Sequence, residues 1–322
     1  MDPAQFLTAP RVTIVAGKGG VGKTTVTAAL AVAATKVGLS VLIVEIEGKS
    51  AIAAMFDRED LGYESTELIT ADPASGRGSR PARTLAPDDA LVEYLADHGM
   101  KRISNRLAAS GALDMVATAT PGIRDVLVLG KIKQLERTGA ADVILVDAPA
   151  AGHAISFLRS ASGLLDAVSV GPIEAQAREV NELLSDSTRC EVVLVTLPEE
   201  TPVNELVETA FNLEDQVGVA LGPVVVNGVF EASPALDEDP EVLAAEAKVA
   251  LRPGEAESLR IACQFVAERA RLQAPQIERL HKELPLPQLH LPYRFTSDLC
   301  FEDVEQLADE LLERIGALEE HR

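Results

Sequence analysis

The chain has 322 residues and a formal net charge of −21, from 29 Lys and Arg against 50 Asp and Glu. A surface that acidic repels nucleic acid and anionic lipid, so neither is expected as a partner. Hydrophobic residues make up 47% and aromatics only 3%, with no Trp, so Ala, Val, Leu and Ile must fill the core of one large domain or two ordinary ones.

In chain order, RVTIVAG (Arg11–Gly17) is a short β-branched run ending in glycine and predicts a buried strand. KTTVTAALAVAATKVG (Lys23–Gly38) is Ala-rich and closed by Gly38, which predicts a helix and its stop. SVLIVEIE (Ser40–Glu47) is the next buried strand, and the three together form one βαβ unit with a parallel sheet. ADPASGRGSRPAR (Ala71–Arg83) predicts loop from its Gly, Ser, Pro and Arg content. From Asp88 to about Thr138 the pattern is helical, interrupted at Thr120–Gly122, and the stretch 62–138 is expected to be a helical insertion. Ala141–Pro149 returns to strand, and DAVSVG (Asp166–Gly171), CEVVLVTLP (Cys190–Pro198) and GPVVVNG (Gly222–Gly228) follow as further strands with helical spacers. Glu231–Lys248 is acidic and expected as a lid or surface segment. Pro285–Phe295 is a last strand and loop, and Ser297–Leu318 a closing helix with Ser297 as its cap. Seven buried β runs alternating with helices predict an α/β, doubly wound, mainly parallel sheet, expected as a single domain spanning residues 1–322.

Cys190, Cys263 and Cys300 lie far apart, none in a C-x-x-C or other metal-ligand spacing, and are expected as reduced, mostly buried thiols of a cytoplasmic protein. The N-terminus MDPAQFLTAP lacks the basic region and apolar run of a signal peptide. No stretch approaches the ~18 apolar residues of a membrane span, so no direct membrane anchor is expected.

The chemistry centres on AGKGGVGKTT. Gly17 to Thr24 fits G-x-x-x-x-G-K-[ST], a P-loop placed between a strand and a helix. Glycines let consecutive backbone N–H groups turn toward phosphate oxygens, and the helix N-terminus adds its dipole. The nucleotide-binding set is therefore Gly17, Gly19, Gly20, Val21, Gly22, Lys23, Thr24 and Thr25. Lys23 is expected on the β- and γ-phosphates of ATP, and the Thr24 hydroxyl on Mg²⁺. Asp147, ending VILVD, is the second Mg²⁺ anchor, since a carboxylate closing a buried strand needs a partner. VEIEGKS offers Glu45 and Glu47 on one side of its strand. Glu47, nearer the carboxyl end where ligands bind, is expected to orient or deprotonate water.

Lys18 is a second cation on a loop already built for phosphate, and GKGGVGKTT resembles the deviant Walker A of the family that contains nitrogenase iron protein, the septum-site and plasmid-partition ATPases and the ArsA-type ATPases. In that family the early lysine reaches phosphates bound by the other subunit. The resemblance therefore implies a P-loop NTPase of the SIMIBI type working as a sandwich dimer, either a homodimer or a heterodimer with a paralogous ATPase, with Lys18 catalytic in trans. DAPAAGH (Asp147–His153) is similar to the second switch of ArsA and of the tail-anchored-protein targeting ATPases; PGIRDVL (Pro121–Leu127), VTLPEETPVNE (Val195–Glu205) and VVVNG (Val224–Gly228) also match. By that resemblance Asn227 contacts adenine, and the loop HLPYRF, with Pro292, closes over the base. The nearest likeness is to ArsA-like ATPases found as adjacent paired genes in actinobacteria.

The chain also departs from its relatives. It has EGKS (Glu47–Ser50) where they carry D-P-A-H, and it lacks the C-x-x-C of the zinc-bridged dimers, so no structural zinc is expected. The insertion holds only Met100 and Met115, against the adaptable Met-rich surface that a groove for hydrophobic helices favours. His153 is either a γ-phosphate sensor or a structural loop residue; Arg124 and Lys131 either touch a partner subunit or, as favoured, are solvated. The function expected is an ATP-driven dimeric switch that holds and releases a partner, such as a hydrophobic client helix or a membrane protein. A metalloid-efflux motor, a spatial-positioning ATPase and a nucleotide-binding subunit with little activity of its own are the alternatives.

Overall fold

The computed structural model describes residues 1–46, 51–58, 61–69, 79–97, 122–168, 170–296 and 298–318. Its first strand, β1 (Val12–Gly17), is buried at every position. That is the signature of a parallel strand covered on both faces. Alternation then divides the core in two. Val12, Ile14 and Ala16 join one hydrophobic cluster with Leu129, Phe157 and Leu206. Val15 joins the other with Leu30, Leu307 and Leu311.

Among the described residues α1 (Pro3–Thr8) precedes β1, and there follow α2 (Lys23–Lys36), β2 (Val41–Ile46), α3 (Ala51–Met55), β3 (Thr66–Ile69), β4 (Arg80–Leu85), α4 (Pro87–Asp97), α5 (Ile123–Arg137), β5 (Val143–Ala150) and α6 (Ala151–Ala167). The rest are α7 (Pro172–Ser185), β6 (Cys190–Thr196), α8 (Glu200–Gln216), β7 (Ala220–Val229), α9 (Pro240–Glu246), α10 (Glu255–Glu283), β8 (Gln288–Pro292) and α11 (Phe301–Ala317). The eight strands form one sheet in the order β3-β4-β2-β5-β1-β6-β7-β8. Every neighbouring pair is parallel except the edge pair β3/β4. The doubly wound α/β architecture expected from the sequence is the one observed.

Helix α2 lies between the sheet and α11, and every residue from Thr25 to Thr35 is buried. Alanine suits this position because a helix enclosed all round must let its neighbours approach closely and gives up no side-chain entropy for doing so. It ends where expected: Gly38 takes φ +89°, and the amides of Gly38 and Leu39 bond back to Thr35 and Ala34 at 3.1 Å each. Such a left-handed cap costs glycine nothing. On α11, Val304, Leu307, Ala308, Leu311 and Ile315 form the buried stripe, at the i, i+3, i+4, i+7 spacing of one helix face.

Four expectations are corrected. Residues 62–138 are not purely helical, because β3 and β4 lie within them and extend the sheet. Arg80–Arg83, expected as loop, belongs to β4 and pairs in parallel with β2, Ala82 opposite Ile43 and Leu85 opposite Ile46. The Arg and Pro of RPARTL hide a strand in which Ala82, Arg83 and Leu85 are all buried, and tertiary pairing overrides local composition. DAVSVG is no strand where described: α6 runs through Ala167 and Val170 is exposed. α6 ends at Ala167 and α7 starts at Pro172, so the run is left too short a stretch between two helices to cross the sheet. Finally, α11 is capped by Cys300, whose N–H donates to the Asp303 carboxylate at 3.2 Å. Ser297 lies outside the described residues, as do Met100 and Met115.

Candidate functional site

The loop from Gly17 to Lys23 joins the carboxyl end of β1 to the first turn of α2. Geometry requires glycine at Gly17 and at Gly22. A Cβ on Gly17 would sit 2.3 Å from the Val195 carbonyl oxygen of β6. Gly22 has φ +90°, and a Cβ there would sit 2.3 Å from Asn227 Nδ2. The Asn227 amide donates to the Val21 carbonyl at 3.0 Å, so the end of β7 is pinned to the loop. Lys23 Nζ donates to the Lys18 carbonyl at 3.0 Å. The Lys23 side chain therefore curls back over the loop it follows and closes it into a cradle.

Across the cradle, Thr24 Oγ1 donates to Asp147 Oδ2 at 2.8 Å. Asp147 stands on β5 directly opposite Glu45 of β2 in the parallel register. Glu45 is 2% exposed and Asp147 7%, and Thr84 Oγ1 donates to Glu45 at 3.4 Å. Two buried carboxylates thus stand side by side at a strand end, where ionised groups need polar or charged partners. The cavity between them has a volume of about 320 Å³ and is lined by Gly20, Gly22, Lys23, Thr24, Glu45 and Asp147, among others. A hydroxyl and carboxylate oxygens are the hard donors Mg²⁺ accepts, in a site where phosphate and water complete the shell. The chemistry of the donor set thus fits a magnesium nucleotide. A second cavity of about 300 Å³, between α4, α5 and α7, contains no P-loop residue.

The remaining expected residues are distributed as follows. Gly19 and Gly20 line the cavity; Val21 and Thr25 are buried beside it. Lys18 is not among the lining residues; its Nζ donates to Glu205 Oε1 of α8 at 2.6 Å. Pro292 ends β8 opposite Val229, two residues beyond Asn227, and the next amide, Tyr293 N–H, donates to the Val229 carbonyl at 2.9 Å. Tyr293 stacks on Phe230, ring centroids 4.5 Å apart. The expected adenine-contacting residues therefore sit on adjacent strand ends beside the loop. His153 is exposed in the first turn of α6. Glu47 lies outside the described residues.

Two side-chain expectations are corrected. Lys131 is not solvated: its side chain is 13% exposed and ion-pairs with Glu93, which also accepts from Tyr63. Burial is the largest cause pushing the Tyr63 hydroxyl far above the ordinary tyrosine range. Among the cysteines only Cys190 is buried, Cys300 being exposed; Cys300 caps a helix end at the surface, whereas Cys190 sits inside a central strand. Sequence reasoning passed over Glu45 as a wall of the site because, of two acids on one side of the strand, it favoured the one nearer the carboxyl end. It also assigned no role to Glu205, which stood inside the matched VTLPEETPVNE.

The family description "Anion-transporting ATPase" matches residues 10–169, which takes in the P-loop, Glu45 and Asp147. The chain is 36% identical to the ATPase BagA of Mycobacterium tuberculosis over 235 residues, covering 69% of this chain and 66% of that protein. It is 27% identical over 228 residues to an arsenical pump-driving ATPase of Halobacterium salinarum, 66% of this chain and 34% of the relative. With an ATPase get3 of Pyrenophora tritici-repentis it shares 26% over 223 residues, 67% of this chain and 60% of the relative.

Proposed function

We propose that this chain, which belongs to the ArsA-like family of anion-transporting ATPases, binds MgATP at the P-loop, hydrolyses it as a dimer with a second copy or a paralogous chain, and so switches between holding and releasing a partner protein. One observation carries the reading: Lys23, Thr24, Glu45 and Asp147 converge on one cavity while Lys18, on the same loop, stands outside it.

The loop amides and the α2 N-terminus bind the phosphates, because oriented N–H groups and the helix dipole both favour anions. Lys23 exchanges its bond to the Lys18 carbonyl for the β- and γ-phosphate oxygens. Thr24 and Asp147 would hold the Mg²⁺, with Glu45 beside them, and the ion would supply positive charge against the phosphoryl group being transferred. Glu47, two residues beyond Glu45, is assigned to orient water. Asn227 and Pro292 flank the base. Lys18, in trans, acts like an arginine finger, and hydrolysis then depends on pairing.

The partner is proposed to be a protein carrying a hydrophobic helix, taken up in one nucleotide state and released in the other. The described residues contain no helix long and apolar enough to cross a membrane. A metalloid pump asks for clustered thiolates, whereas Cys190, Cys263 and Cys300 sit on β6, on α10 and at the start of α11, and the switch is the reading preferred. The test separates the two lysines. Lys23→Ala is expected to abolish binding of a fluorescent ATP analogue, and Lys18→Ala to retain binding but lose turnover. Unchanged affinity in the first variant sinks the P-loop assignment; normal turnover in the second sinks the trans lysine.

A further inference from the structure

Lys18 and Glu205 are 187 positions apart in sequence, and the sheet brings them together. Gly17 and Val195 are register partners on β1 and β6, with no room for a side chain between them. β6 ends at Thr196 and α8 begins at Glu200, so the second turn of α8 lies beside the start of the P-loop. There Glu205 Oε1 takes the Lys18 ammonium at 2.6 Å, with the two side chains 42% and 39% exposed. The backbone of Glu205 is itself held, its carbonyl accepting from Thr209 Oγ1 at 2.6 Å.

We infer that Glu205 is the resting partner of Lys18, a positioning residue that draws the ammonium outward from the chain's own phosphate cavity and yields it to phosphates bound by a second copy. The inference rests on the dimeric reading proposed above. Its physical basis is a difference in strength. An ion pair this exposed is weak, because both ends are hydrated and two long side chains lose freedom in forming it. Phosphate oxygens enclosed between two chains form stronger charge-assisted bonds with the same ammonium. The pair is strong enough to bias where Lys18 points and weak enough to be displaced. It keeps two cations on one loop from competing for one set of phosphates, leaving Lys23 to serve its own chain.

The test is specific ATP turnover of the full chain against protein concentration, at saturating MgATP, for wild type, Glu205→Gln, Glu205→Asp and Lys18→Ala. Removing the resting partner is expected to lower the concentration of half-maximal activity by about fivefold per protomer, and so by up to about 25-fold for a symmetric pair. The fivefold factor corresponds to ~1 kcal/mol, the upper end for an exposed pair. Glu205→Asp, which keeps the charge, is expected to return toward wild type; a purely structural role for the helix surface moves melting temperature and leaves this midpoint in place. Concentration-dependent turnover with an unmoved midpoint in Glu205→Gln overturns this inference alone, and a raised midpoint overturns it by placing Glu205 in the closed pair. Wild-type turnover independent of concentration overturns the pairing of two copies and this inference with it.

Discussion

Replacing Gly22 by alanine tests the geometry of the cradle, and its cost is legible from two separate distortions. The backbone stands at φ +90°, where an L-residue with a Cβ pays ~1–2 kcal/mol that glycine does not. The new Cβ would also lie 2.3 Å from Asn227 Nδ2, so the amide must swing away and give up its bond to the Val21 carbonyl, a loss of ~1 kcal/mol. The expected destabilisation is therefore ~2–3 kcal/mol by denaturant unfolding, accompanied by loss of nucleotide affinity as the loop amides turn off target. Asn227→Ala separates the two costs, because it removes the colliding group and leaves the backbone strain. Gly22→Ala in that background should cost only ~1–2 kcal/mol, a coupling of ~1 kcal/mol between the sites. An equal cost in both backgrounds would refute the contact, and a cost under ~0.5 kcal/mol in the wild-type background would refute the strained backbone as well.

Asp147→Asn keeps a group that Thr24 can bond but removes the charge at the cation site. The Mg²⁺ concentration supporting half-maximal nucleotide binding should rise at least ~10-fold, with melting temperature little changed; an unaltered magnesium titration removes Asp147 from the site. Glu191, at the start of β6 where a Gly222 Cβ would stand 2.9 Å from its carboxyl carbon, has its carboxyl pushed up to about 7 by burial. A carboxyl raised in the folded state stabilises the fold at low pH, and that contribution is lost as pH climbs from the ordinary range near 4.5 through about 7. Glu191→Gln should thus stabilise the chain by ~1–3 kcal/mol at pH 8 and by almost nothing at pH 4, measured as paired melting curves; the same gain at both pH values refutes the assignment. Chelation by EDTA should abolish magnesium-dependent nucleotide binding, whereas a zinc-selective chelator should leave the oligomeric mass by light scattering unchanged, and dissociation would reveal a zinc site.

Much of this protein is local and therefore readable in the chain. β1, β2, β5 and β6 are continuous apolar runs because parallel strands covered on both faces have no solvent side to mark. The Gly38 stop of α2 and the P-loop glycines are legible because left-handed backbone favours one residue type. Asp147 stood out as a charge closing an apolar run. Pairing across the sheet is not local, and it decided the rest. RPARTL is a strand because β2 pairs with it, whereas the more apolar DAVSVG is taken up at its start by α6, and α7 begins directly after it. The side chains at the mouth follow the same rule. No spacing rule links Glu45 to Asp147, Asn227 to Val21, or Lys18 to Glu205; strand register and the turn into α8 do. A sequence specifies which residues prefer a strand end or a loop, but neighbours in space are chosen by which strands share hydrogen bonds, and only the folded sheet carries that information.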